Sequence, residues 1–220
     1  MSVVAPMFPL GSVLLPHMML PLHVFEPRYR VMFEELVGEL PRPADQTELG
    51  PEPRFGVVMI ERGSEVGGGD QRARVATMAE VVGAQLLEDG RWGVVAVGGE
   101  RIRVLEWLDD DPYPRALVEP WPDVDGVGTS RFLRTELEAV RARHDELVAL
   151  LARLGVPVDE EHVPDWAADP VQVIWQVALA SPLGSLDRQR LLSAPGSAER
   201  IGLLSGMIDE QIELVRSRLA

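Results

Sequence analysis

The sequence predicts an α+β chain in two parts, a β-rich barrel over residues 1–122 followed by a helical bundle over 123–220. Three observations carry this. Up to about Trp121 the apolar residues fall in short β-branched runs bounded by Gly, Pro and Asp, as strands and turns do. Beyond Thr129 they recur at steps of three and four, the helical period. Between the two patterns lies "DVDGVGTS", residues 123–130, which has turn formers and no apolar run and reads as the boundary.

The first strands flank Pro16 and Pro21 in "MFPLGSVLLPHMMLPLHVF", residues 7–25. Glu26 then sits where a helix amino terminus favours a carboxylate, and Pro27 takes the first helical position, where its missing N–H costs nothing. Tyr29, Met32, Phe33 and Leu36 share one face of that helix. Glu26, Pro27 and Arg28 therefore read as a structural joint, with Glu26 and Arg28 pinning the helix against strands. "FGVVMIERG" (55–63) is the next strand, followed by a glycine-rich break at 63–70. From Val75 an antiparallel meander is divided by "EDGR", where Asp89-Gly90 signals a hairpin, by Gly98-Gly99 and by "DDDPYP". Val81 and Val82, Val94 to Val97 and Ile102 to Leu105 are its expected core.

In the second half, Leu133, Leu137, Val140, His144, Leu147, Leu151 and Leu154 draw one narrow stripe down a long helix capped near Thr129 or Ser130. His144 is thus expected to be buried in an apolar seam. A second helix opens at Asp169 with Pro170 at its first position, a third follows Ser185, and the last runs from Ser197 with Ile201, Leu204, Ile208, Ile212, Val215 and Leu219 on one face.

The chemistry that can be read is mostly exclusion. All twenty-one basic residues are arginine, so the chain has no amine for a Walker A loop, a Schiff base or a Ser-Lys dyad. No cysteine means no thiolate site and suits a reducing cytoplasm. The four histidines lack metal-ligand spacing, the Asp109–Asp111 run lacks the alternating ligands of a calcium loop, and no serine stands in a nucleophile elbow. The expectation is no catalytic residue, no metal and no cofactor. A net charge of -14 disfavours nucleic acid and anionic lipid as partners, and the proline-broken amino terminus fits neither a signal peptide nor a spanning helix.

Three stretches in order, "MFPLGSVLLPHMMLPLHVFEPRYRVMFEEL", "GGERIRVLEWLDDDPYPRALVEPW" and "LDRQRLLSAPGSAERIGLL", resemble the amino-terminal substrate-binding domain of Lon proteases, which also occurs as a stand-alone bacterial protein. The resemblance implies a PUA-like pseudobarrel followed by a helical bundle. It also implies a non-catalytic module that binds unfolded polypeptides or acts as a protein adaptor. Rival readings are a hydrolase whose site meets only in three dimensions and a PUA-like RNA binder, the latter opposed by the acidity.

Tolerant recognition of many sequences calls for flexible apolar surface. Met18 and Met19 lie in "PHMMLP", where strand alternation sends one of the two outward, and Leu15 just before them poses the same problem. Met18, Met19 and Leu15 are therefore the candidate peptide-binding residues, expected to border a groove near the junction of the two domains.

Overall fold

The protein is described by a computed structural model over residues 1–38, 53–63, 71–125, 129–156 and 166–219. It divides into two compact units, Met1–Pro122 and Asp123–Ala220. The first holds β1 (Val3–Leu10), β2 (Met19–Val24), α1 (Pro27–Gly38), β3 (Arg54–Arg62), β4 (Gln71–Arg72), β5 (Val75–Leu86), β6 (Trp92–Leu108) and β7 (Arg115–Pro120). The second holds α2 (Thr129–Arg153), α3 (Pro170–Ala180), α4 (Ser185–Leu192) and α5 (Ser197–Leu219). The glycine-rich break at 64–70 and His162 lie outside the described residues.

The strands β1, β7, β6, β5 and β3 are successive neighbours, and a parallel pairing of β1 with β3, Met7 opposite Gly56 through Leu10 opposite Met59, closes them into a ring. Closure is dense: a Cβ on Gly56 would overlap the sulfur of Met7, which has no exposed surface. β2 joins as an extra strand on the first half of β6, Met19 opposite Val97 through Val24 opposite Trp92, whereas β7 takes the second half from Ile102.

Gly98-Gly99 falls at this handover and does not divide two strands, contrary to the expectation from sequence: β6 runs unbroken through it. The glycine is there for close approach. A Cβ on Gly98 would overlap the carbonyl oxygen of Leu15, whose chain crosses the strand at that point. His17 N–H donates to Gly98 O at 2.7 Å, and Gly98 N–H donates to Met18 O at 2.9 Å.

The expected barrel core is corrected by alternation. Val81, Ile102 and Val104 are buried, but Val82 is 56% and Leu105 46% exposed, each next to an irregularity in the pairing of β5 or β6. The interior is instead completed by α1, whose Tyr29, Met32 and Phe33 are buried. Phe8 lies 4.2 Å from the Tyr29 ring and Phe33 meets Phe55 edge-on at 5.2 Å. A fully buried side chain of the size of Met32 or Phe33 contributes about 1.5–3 kcal/mol by leaving water.

In the second unit α2 packs chiefly on α5, with α3 against both. The two long helices run the same way, since Arg143 meets Asp209 at 2.9 Å while Arg216 reaches Glu146 further along. α3 begins as its sequence requires: Asp169 Oδ1 accepts from Val171 N–H at 3.1 Å, with Pro170 first in the helix.

A buried polar cluster is set among the apolar residues of this unit. Arg200, with no exposed surface, donates from Nη1 and Nη2 to Asp123 at 2.8 and 2.6 Å and from Nε to Leu191 O at 3.2 Å. Its guanidinium carbon lies 4.1 Å from the Trp175 ring centroid. Asp125 Oδ1 accepts the Ser197 N–H at the start of α5 at 2.9 Å, and the Ser197 hydroxyl lies 2.6 Å from Asp123 Oδ2. Residues 123–125, which read as a boundary segment in the sequence, are thus tied into the helical core by charge-assisted hydrogen bonds.

Candidate functional site

The proline-bounded segment resolves into inward and outward residues. Val13, Leu14, Leu15 and Pro16 are buried. This overturns Leu15 as a surface candidate: its side chain has 0% exposure because the segment crosses tightly over Gly98. His17 then takes a left-handed φ of 65° and turns the chain. Met18 packs partly buried against the barrel core. Met19 is 63% exposed.

From Met19 the strand period decides the rest. Leu20 and Val24 face the core, and Met19, Pro21 and His23 face solvent. The same parity reaches Phe25, one residue past the strand, which is also 63% exposed. Behind this stripe, Val97 pairs with Met19 and Val95 with Pro21, and both are half-buried. Val95 in turn pairs with Gly83 of β5, where no side chain stands, and the adjacent irregularity turns Val82 out to solvent. At about 3.3 Å per residue, Met19 to Phe25 spans roughly 20 Å, the reach of a short extended peptide. Sequence reading placed Phe25 merely at a strand end and Val82 in the core; the alternation begun at Met19 was the signal for Phe25.

At the far end of the stripe a cleft of about 330 Å³ opens between α1 and the β5–β6 hairpin, lined by Pro27, Arg30, Val31, Glu34, Leu86, Gly90 and Trp92. The hairpin is tight here: Gly90 has φ 78° and Leu87 N–H donates to Arg91 O at 2.8 Å. Arg91 holds the Asp89 carboxyl below its ordinary range, first through its side-chain hydrogen bond and then through its backbone N–H.

The joint that feeds α1 carries the expected pair, Arg28 Nε to Glu26 Oε2 at 3.1 Å, and Arg30 N–H donates to Glu26 O at 2.9 Å to start the helix. Arg28 also approaches Asp110 at 3.8 Å, so the Asp109–Asp111 run is a loop tied to α1. Tyr113, in the same loop, donates its hydroxyl to Glu35 at 2.5 Å. Burial, helped by that hydrogen bond, pushes Tyr113 up to about 12. Tyr29 is also pushed up to about 12, by burial, against the opposing pull of Arg28. Among the described residues, no group of three or more His, Asp or Glu side chains is placed to hold a metal ion. Among them, too, no helix is long and apolar enough to cross a membrane.

The barrel with its inserted helix and the helical unit after it can be set against known proteins. A Lon N-terminal domain protein from Xanthomonas campestris superposes with a TM-score of 0.56 at 24% identity, over 92% of this chain and 96% of that one. The N-terminal domain of Mycobacterium avium complex Lon protease gives 0.60 at 15% identity, over 94% and 98%. In sequence the chain is 28% identical to Lon protease 2 of Sorangium cellulosum, over 96% of its own length and 25% of that protein. It is 25% identical to Lon protease 2 of Herpetosiphon aurantiacus, over 96% of its own length and 24% of that protein. It therefore spans about a quarter of these relatives. The profile of the ATP-dependent protease La (LON) substrate-binding domain covers residues 4–210, and the chain belongs to that family.

Proposed function

We propose that this protein binds unfolded polypeptides through the outward stripe of β2, without itself catalysing a reaction. The observation that carries the reading is the stripe: Met19 and Phe25, each 63% exposed, flank Pro21 on one side of a rigidly paired strand. Large apolar side chains left in water on a well-packed scaffold mark an interaction surface. Methionine adds tolerance, since its unbranched thioether repacks around different partners. The backing sheet is fixed by the ring of strands, so little ordering cost falls on the protein when a segment docks. The cleft beside Trp92 and Leu86 has room for a single large apolar side chain of that segment. A non-catalytic role accords with the absence of lysine, and a cytoplasmic setting belongs to the same proposal.

The test pairs binding with stability. Met19→Gln and Phe25→Gln should weaken capture of a carboxymethylated, permanently unfolded protein by about tenfold when combined, while each shifts stability by no more than about 0.5 kcal/mol. Undiminished capture by the double variant sinks the assignment of the stripe.

A further inference from the structure

The charge around the stripe is lopsided. Residues 19–35 and 80–97, which build β2, the first turns of α1 and the β5–β6 ribbon, carry six carboxylates and three guanidinium groups. Two of those three arginines are already engaged by acids of the same segments, Arg28 by Glu26 and Arg91 by Asp89. Glu80 is held by Arg54 of β3. Glu34, on the cleft wall, and Glu88, in the hairpin turn, are both exposed, and Glu35 accepts the Tyr113 hydroxyl. Against them stands Arg30 on the same wall. The whole chain adds a net charge of -14, with no lysine to offset it.

We infer that the segments this surface takes are cationic as well as apolar: short runs of Leu, Phe, Val or Met flanked by lysine or arginine, with acid-flanked runs rejected. This rests on the reading of β2 as the binding stripe and adds the substrate class. The physical basis is complementarity at a rim. An apolar run lies on Met19, Pro21 and Phe25, and the flank that passes Phe25 meets the cleft and hairpin, whose exposed Glu34 and Glu88 act over a Debye length of about 8–10 Å. Exposed charges contribute little singly, but the carboxylates at that end act together, drawing in a cationic flank and excluding an anionic one by the same field. A second copy of this chain is a poor occupant, since it brings the same acidic rim.

The experiment uses one Leu/Phe/Val peptide flanked at both ends by lysines, by glutamines or by glutamates, titrated against the full chain by fluorescence anisotropy. The lysine-flanked form should bind on the order of tenfold tighter than the glutamate-flanked form, with the glutamine form between, and the spread should collapse at high salt. The Glu88→Arg variant, changed outside the cleft, should lose part of that spread while binding the glutamine-flanked peptide as before. Equal affinity of the three peptides, or a spread unmoved in the variant, overturns the charge preference and leaves the stripe standing. Failure of all three to bind overturns the stripe and the preference together, as does a concentration-dependent dimer that the peptides do not compete with.

Discussion

In the barrel unit Met19 and Phe25 are each 63% exposed, whereas in the helical unit Arg200 is enclosed with 0% exposure. In the barrel unit exposed apolar groups line one side of β2, and in the helical unit one charge is taken fully out of water. Each arrangement costs free energy, so each needs a reason. On the barrel the cost is small, because single exposed apolar residues are ordinary and the sheet beneath is complete without them. In the helical unit the cost of burying a guanidinium is several kcal/mol and is offset only by the full set of partners around it. The difference teaches where substitution does what: surface changes on β2 should alter recognition and spare the fold, and changes around Arg200 should do the reverse.

The sharpest way to break that contrast is Asp123→Ala. It leaves Arg200 buried with its carboxylate partner gone, and loss of one member of a buried ion pair costs about 3–5 kcal/mol. Urea unfolding followed by hydrogen exchange in α5 reads the effect. A loss under about 1 kcal/mol would mean that water reaches Arg200 and that the helical unit is not organised around it. Replacing both members with Leu and Met should recover only part of the loss, since the carbonyl of Leu191 also accepts from Arg200 and is left unpaired.

A smaller effect tests the barrel interior. Tyr29 is pushed up to about 12 from 10.0 by burial, so the folded state binds its proton more tightly than the unfolded chain does. Stability from the neutral phenol is then fully present below pH 10 and falls as pH rises through 10 toward 12. The loss above that range is at most about 3 kcal/mol by linkage. Tyr29→Phe should remove most of the alkaline slope seen in thermal melts between those values, with the partly exposed Tyr113 accounting for a residue of it. An unchanged slope would place the Tyr29 hydroxyl in contact with solvent.

Much of this architecture was legible in the sequence because periodicity reports burial directly. The stripe of α2, the Pro27 and Pro170 starts and the Asp89-Gly90 hairpin all follow from local rules. What was not legible depends on chain crossing. Gly98-Gly99 looked like a break because nothing nearby in sequence shows that Leu14 and Leu15 pass over it, and the same crossing buries Leu15. Val82 looked like core because a pairing irregularity between Val81 and Gly83 shifts which face it takes. Arg200 gave no sign at all, for its partner Asp123 is distant in the chain and sits in a stretch composed like a linker. Of the candidate site, Met19 was read from alternation; Phe25 carries the same parity but lies one residue past the strand, where it reads as a strand end.

The smallest expected effect refines the contrast inside the helical unit. His144 lies in the α2 seam with only 5% exposure, as the stripe implies, but neither ring nitrogen has a hydrogen-bond partner among the described residues. Asp145 lies 3.7 Å from Nδ1, and the Trp166 ring stands edge-on at 6.2 Å. Arg200 is buried and satisfied; His144 is buried with no hydrogen-bond partner among the described residues. The desolvation cost of an unpaired polar group should therefore be recoverable here, while at Arg200 it is not. His144→Leu, close in volume, should raise stability by about 1 kcal/mol at neutral pH, read as an upward shift in the midpoint of urea unfolding with an unchanged slope. A destabilising outcome would show that the imidazole makes a hydrogen bond through water, and the seam would then join Arg200 as a satisfied polar element of this unit.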